Sequence, residues 1–282
     1  MGNIIDGKGI AAEIRAELKG RAAALRERGI APCLAVVLAG DDPASLIYVR
    51  NKKRACEEIG ILSREVTLPG DIEEDALIAE IQALNKDETV DAMLVQLPLP
   101  RHIDERRVLA EVAPEKDADG FHVVNAGLLF SGQKSVLPCT PAGCMELLRR
   151  AGTAFRGRHA VVVGRSNIVG KPMAMLLLNE HATVTVCHSR TKDLADFARS
   201  ADILVAAVGR AGLITGDMIK PGAAVIDVGM NRLPDGKVVG DVDFASALPV
   251  AGAITPVPGG VGPMTIAMLM QNAIDASEKR HG

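Results

Sequence analysis

Aromatic side chains are nearly missing from this chain. Tyr48 is its one tyrosine in 282 residues, tryptophan is absent, and five phenylalanines complete the set. The core must therefore be built from Val, Ile, Leu, Ala and Met. No basic tract with interleaved aromatics is present and the net charge is −3, so nucleic acid is not an expected partner. No stretch approaches the roughly 20 apolar residues of a membrane helix, and none is expected to bind a membrane. The N-terminal segment MGNIIDGKGIAAEIRAEL carries acids and no long apolar run, unlike a signal peptide. Cysteine is sparse and odd in number: Cys33, Cys56, Cys139, Cys144 and Cys187, with no CxxC. That pattern indicates neither a disulfide framework nor a metal site. A reducing, cytoplasmic setting is expected.

What is present is a repeating alternation of β-branched runs and helical patterns. A helix near 11–28 precedes the apolar strand CLAVVLAG (33–40). A helix over 43–59 follows, with Asp42 as N-cap, Pro43 in the first turn and Gly60 past the end. Strand EVTLP (65–69), helix 73–86 and strand VDAMLVQLPLP (90–100) extend the series. A second series holds a helix over 140–152, with Thr140 as cap and Gly152 as stop, and strands at 159–164, 183–187, 202–209 and 223–229. Helices at 171–180 and 192–201 separate its first strands. A final helix over 264–280 follows a Gly/Pro-rich loop. The predicted fold is α/β, with two domains of mainly parallel sheet and flanking helices and a cleft between them, the second domain Rossmann-like. The expected domains are 1–138, completed by 264–282, and 139–263.

The segment VVVGRSNIVGKP (161–172) reads as strand, glycine turn and helix start, a place for a pyrophosphate at a helix N-terminus. Ser166 stands where a dinucleotide fingerprint has its second glycine, and a plain tight turn would look similar. An NAD enzyme would carry an acid about 20 residues on, to grip the ribose 2′-OH. Here the next strand ends in His188-Ser189-Arg190-Thr191. Ser189 can donate to a 2′-phosphate and Arg165 or Arg190 can pair with it, which favours NADP, although Arg190 also reads as a solvated loop cation.

On a helical wheel, Tyr48, Lys52, Ala55 and Ile59 share one stripe, opposite Arg50, Lys53, Arg54, Glu57 and Glu58. Lys52 on that face could snorkel to solvent or face a cleft, where a desolvated amine can serve as base. Tyr48 offers a ring for stacking. Gln96, at the C-terminal end of an apolar strand, is a plausible partner for Lys52. Asp117 and Asp119 in PEKDADGFH (114–122) read either as an N-capping turn or as ligand-facing acids.

The segments GDDPASLIYVRNKKRACEEIGI, VQLPLP, PEKDADGFHVVNAG, PCTPAG, VVVGRSNIVGKPM, TVTVCHSRT, KPGAAVIDVGMN, GDVDF and ITPVPGGVGPMTIAMLMQN, in this order, resemble the bifunctional methylenetetrahydrofolate dehydrogenase/methenyltetrahydrofolate cyclohydrolase family over nearly the whole chain. The resemblance implies NADP-dependent oxidation of 5,10-methylenetetrahydrofolate, then hydrolysis of the methenyl product to 10-formyltetrahydrofolate. It implies that Tyr48 stacks on the folate, that Lys52 is the key group of hydrolysis, that Gln96 adjusts Lys52, and that Asp119 holds the pterin edge. It places the loop of Pro258, Gly259, Gly260, Gly262 and Pro263 by the folate. It gives Gly164, Arg165, Ser166, Ser189, Met230 and Thr140 to NADP, and it implies a homodimer joined through the NADP-binding domain. Two other readings share parts of the pattern: a shikimate-type NADP dehydrogenase with a Lys/Asp pair, and a non-catalytic NADP-binding protein.

Overall fold

The computed structural model describes residues 2–282, the side chain of Ala44 excepted. It divides into two compact units. One comprises the chain through Ala12 together with Pro138–Thr265, the other Glu13–Leu137 with Ile266–Gly282. The chain opens with β1 (Asn3–Ile4) and α1 (Gly7–Glu27). Asp6 accepts from the Gly9 N–H at 3.0 Å, so this helix begins a turn earlier than its apolar periodicity predicts.

The unit of Glu13–Leu137 and Ile266–Gly282 contains β2 (Cys33–Ala39), α2 (Pro43–Ile59), β3 (Leu62–Leu68), α3 (Glu74–Lys86), β4 (Ala92–Val95), α4 (Glu105–Ala110) and α5 (Val123–Phe130). Among the described residues its sheet has three parallel strands in the order β3-β2-β4. The central strand β2 is buried along its whole length, which is why its sequence is an unbroken apolar run. Edge strand β3 is mostly exposed or half-buried. Its polar start, Leu62-Ser63-Arg64, explains why only its second half is legible in the sequence. Leu77 and Ile81 of α3 are fully buried in one core cluster with Val37 and Met93, each burial contributing about 1.5–3 kcal/mol.

Helix α2 has the ends its sequence announces. Asp42 accepts from the Ser45 N–H at 2.8 Å, Pro43 opens the helix, and Gly60 closes it in the left-handed region at φ 97°. The buried stripe differs from the wheel in its first turns. Ser45, Val49, Ala55, Cys56 and Ile59 are buried, whereas Tyr48 is 46% exposed. Tyr48 thus flanks the stripe instead of leading it.

The other unit continues with α6 (Cys139–Arg150), β5 (His159–Val163), α7 (Gly170–Asn179), β6 (Thr183–Cys187), α8 (Leu194–Ser200), β7 (Ile203–Ala206), β8 (Ala224–Asp227), β9 (Asn231–Arg232), β10 (Val238–Val239), α9 (Phe244–Ala247) and β11 (Ala253–Ile254). Helix α10 (Val261–His281) ends the chain. Six described strands form one parallel sheet in the order β1-β11-β8-β7-β5-β6. The segment before Ala12 groups with this unit, not with the residues that follow it, because Asn3 and Ile4 pair with Ala253 and Ile254. Two-residue strands carry no period, so neither β1 nor β11 is legible in sequence. The β9–β10 hairpin turns through Asp235-Gly236, with Gly236 at φ 85°; the dipeptide is a turn signal that could have disclosed it.

Two further helix starts are corrected. Pro138, not Thr140, occupies the N-cap of α6. Thr140 lies in the first turn, its Oγ1 3.0 Å from Thr265 Oγ1. Helix α10 begins at Val261, so Gly262 and Pro263 belong to its first turn, where proline's missing N–H costs nothing.

Candidate functional site

In the three-stranded unit the candidate chemistry gathers at the C-terminal end of β4. Gln96 follows β4 directly. Its backbone N–H donates to Val37 O at 2.8 Å, and its side-chain Nε2 donates to Leu97 O at 2.7 Å. The remaining amide oxygen, Oε1, accepts from Lys52 Nζ at 3.0 Å. Gln96 is only 7% exposed and Lys52 is half-buried. A neutral amide oxygen accepts from this nitrogen whether the amine carries two protons or three and, unlike a carboxylate, adds no negative charge that would favour the ammonium. Tyr48 lies one turn before Lys52 on α2, with its ring half-exposed.

The two acids of Asp117-Ala118-Asp119 are separated by their partners. Asp117 is buried and accepts from the Gly120 N–H at 3.1 Å, the His122 N–H at 2.8 Å and Asn125 Nδ2 at 3.0 Å. It is the turn-forming acid. Asp119 is partly buried and makes no hydrogen bond among the described residues. Burial pushes its carboxyl above the usual carboxylate range, the Lys52 charge pulls it back, and Asp117 adds to the push. An acid kept from other partners, and within the field of Lys52, is available to a ligand with N–H donors.

Six hydrogen bonds that sequence reasoning missed fix the loop carrying Asp119. Met93 N donates to Lys116 O at 2.6 Å, and Ala118 N donates to Met93 O at 2.9 Å, which sews the loop to β4. The buried Lys116 ammonium donates to Leu84 O at 3.0 Å and Asp87 O at 2.8 Å, capping the end of α3; burial lowers its proton affinity. Asn272 of α10 donates from Nδ2 to Ala118 O at 2.9 Å and Leu137 O at 3.0 Å. Neither a lysine between two acids nor an asparagine in a long helix announces such a role.

In the six-stranded unit the strand order reverses between β5 and β7, the point at which open α/β sheets bind ligands. Gly164 follows β5 there at φ 132°, and a Cβ on it would stand 2.1 Å from Ala207 O. A Cβ on Gly170 would stand 2.2 Å from Gly164 O. Only glycine therefore lets the turn fold this tightly against both its neighbours. Ser166 Oγ accepts from the Val169 N–H at 3.1 Å and the Gly170 N–H at 3.3 Å, ordering the start of α7. Arg165 is exposed. Because β6 pairs with β5, with Val163 opposite Cys187, the loop after β6 leaves the sheet beside Gly164. There His188 N donates to Thr191 Oγ1 at 2.9 Å and Arg190 N donates to His188 Nδ1 at 3.1 Å, and Ser189 and Arg190 are exposed. A 2′-phosphate fits this hydroxyl-and-guanidinium edge. Met230, 54% exposed, follows β8. The Pro258–Gly260 loop and the first turn of α10 through Pro263 belong to the same unit, with Gly260 seated against Gly7, whose own Cβ would stand 2.0 Å from Gly260 O.

Unit by unit, this is the construction of an α/β dinucleotide-binding enzyme with a separate polar site on a small parallel sheet. Comparison with known proteins makes the class specific. Residues 5–119 match the family model described as the tetrahydrofolate dehydrogenase/cyclohydrolase catalytic domain, and residues 138–281 match the NAD(P)-binding domain of the same family. The Bifunctional protein FolD of Bordetella avium is 61% identical, over 98% of this chain and 97% of its own. The FolD crystal structure from Campylobacter jejuni superposes with a TM-score of 0.98 at 49% identity, covering 99% of this chain and 100% of that one. The Trypanosoma brucei FolD structure, complexed with NADP and an inhibitor, superposes with a TM-score of 0.94 at 43% identity, covering 99% and 98%. The chain belongs to the tetrahydrofolate dehydrogenase/cyclohydrolase family.

Proposed function

We infer that this protein is the bifunctional enzyme of one-carbon metabolism that oxidises 5,10-methylenetetrahydrofolate with NADP⁺ and hydrolyses the product to 10-formyltetrahydrofolate. The observation that carries the reading is the Lys52–Gln96 hydrogen bond of 3.0 Å at the end of β4, in a chain of this family. In the first step the methylene bridge loses a hydride to NADP⁺ and becomes a methenyl cation. NADP⁺ supplies the electron sink, and the protein has to hold two flat ring systems face to face. In the second step water adds to the cation and loses a proton; the carbinol formed then gives up its hydroxyl proton to become the formyl C=O as the C–N5 bond breaks, and N5 takes up a proton. Lys52 takes the proton of the attacking water, held by Gln96 and close to Asp119. Tyr48 stacks on the pterin, Asp119 accepts from its amino and ring N–H groups, and the Pro258–Pro263 loop borders the folate. Gly164, Arg165, Ser166, Ser189 and Met230 serve the cofactor. Thr140 joins them near the cofactor; its hydroxyl shares one hydrogen bond with Thr265 and keeps capacity for another partner. Accordingly the six-stranded unit is the NADP-binding domain and the three-stranded unit the folate-binding, catalytic one.

The enzyme is a cytoplasmic homodimer. Five free, buried thiols suit a reducing compartment. Strand β6 is an edge strand with Val186 exposed, flanked by exposed Leu178 and Phe197, an unpaired apolar edge of the kind a second copy covers. The direct test is absorbance: methylenetetrahydrofolate and NADP⁺ should yield NADPH and a methenyl intermediate that decays to the formyl product, and no absorbance change would remove the reading.

Cofactor choice follows from the β6 edge. Ser189→Asp would set a carboxylate where the 2′-phosphate is read. NADP affinity should fall by about 100-fold, roughly 2.7 kcal/mol, with NAD affinity nearly unchanged. Titration of both nucleotides checks it, and an equal loss for both would refute 2′-phosphate recognition at Ser189.

A further inference from the structure

We propose that Asp241 is a positioning residue for the dehydrogenase step, fixing the two loops that leave the C-terminal ends of β7 and β8 and, through them, the bound cofactor. The proposal rests on the functional reading above. Asp241 has no exposed surface. Its Oδ2 accepts from the Val208 N–H at 2.6 Å and the Gly209 N–H at 3.0 Å, and its Oδ1 from the Arg210 N–H at 2.8 Å and Asn231 Nδ2 at 2.9 Å. Four donors fill the four lone-pair sites of one carboxylate. Three come from consecutive residues of the loop after β7, and the fourth from the residue that follows Met230. One side chain therefore clasps two loops.

A second buried acid holds the first in place. Asp227, at the end of β8, accepts from the Asp241 N–H at 2.8 Å, the Val242 N–H at 2.9 Å and the Gly229 N–H at 3.0 Å. Burial raises its carboxyl to about 6 against the pull of those amides. Two glycines complete the set. A Cβ on Gly229 would stand 2.3 Å from Asp241 Oδ1, and one on Gly240 would stand 1.7 Å from Asp227 Oδ2. Such a device could serve stability alone, but its location argues otherwise. The loop it holds begins at Ala207, the residue against which Gly164 packs, so it adjoins the phosphate turn at the point where the strand order reverses. A displacement of Val208–Arg210 reaches the cofactor crevice directly, and reacting rings misplaced by about 1 Å can lose on the order of 100-fold in rate.

The test is Asp241→Asn, which keeps the shape and turns one oxygen into a donor facing N–H groups. NADP affinity, the kinetic constants of oxidation, the melting temperature and hydrolysis of methenyltetrahydrofolate, which consumes no cofactor, are measured together. The expected result is a folded protein whose KM for NADP⁺ rises about tenfold or whose oxidation kcat falls roughly 10–100-fold, while hydrolysis and the folate KM stay within about twofold. Oxidation and NADP affinity both unchanged in the folded variant would overturn the proposal. So would parallel loss of both activities, the signature of a purely structural clasp. If Asp241→Asn does not fold, Gly229→Ala is read instead. Its Cβ would press on the Oδ1, Cγ and backbone N of Asp241, the same split is expected, and equal losses again overturn the proposal. Failure of the functional reading itself looks different: the unmutated chain would show no NADP-dependent oxidation, and both ideas would fall.

Discussion

Replacing Lys52 by Met will abolish hydrolysis and spare the fold. Methionine keeps most of the stem's volume and removes the amine. Lys52 is half-buried, its one hydrogen-bond partner among the described residues is Gln96 Oε1, and the glutamine retains its bond to Leu97 O. What the variant lacks is a group to take the proton from water attacking the methenyl cation. Loss of a positioned base costs typically 10²–10⁴-fold, and hydrolysis should fall by about that factor. Oxidation has no such requirement, because a hydride transfer moves no proton to the protein. It should change by less than about tenfold, mostly through substrate placement. NADP affinity should not change, since Lys52 and the proposed cofactor residues belong to different units. Hydrolysis of methenyltetrahydrofolate followed by loss of its absorbance decides the matter, and a variant that still hydrolyses at the parent rate would refute the assignment.

How much of this was legible beforehand depends on the length of the signal. Helix α2 was readable from its caps alone, because Asp42, Pro43 and Gly60 each act within one turn of the backbone. The buried strands β2, β5 and β7 were readable because a strand covered on both faces must be apolar throughout. Strands β1 and β11 were not, since two residues hold no period and their pairing spans the length of the chain. The Lys52–Gln96 bond was foreseeable in outline: a glutamine at the end of an apolar strand needs a partner, and a lysine on a mostly apolar face needs one too. The face itself was misjudged at Tyr48, because a wheel gives angles and not the position of the sheet beneath the helix. The carboxylates of Asp227 and Asp241 passed unnoticed, since all but one of the partners described above are backbone N–H groups, which every residue but proline has.

The acids of Asp117-Ala118-Asp119 give the sharpest paired prediction. Asp117→Asn leaves the ligand-facing acid intact but turns one buried acceptor into a donor opposite the N–H groups of Gly120, His122 and Asn125. A buried clash of this kind costs about 2–3 kcal/mol, which in a chain of this size lowers Tm by roughly 5–10 °C. Asp119→Asn disturbs no hydrogen bond among the described residues, so Tm should hold or rise, because an acid whose ionised form is disfavoured by burial gives way to a neutral group. Its effect should fall on the folate instead. Two charge-assisted hydrogen bonds to pterin N–H groups, at about 1.5–3 kcal/mol each, are weakened or reversed, so kcat/KM for both reactions should drop on the order of 10²–10⁴-fold. NADP affinity should stay at the parent value. Melting curves and folate kinetics on the two variants check the pair. Should Asp119→Asn keep its folate kinetics, or should Asp117→Asn be the variant that loses them without loss of stability, then the division of labour read from their hydrogen bonds is wrong.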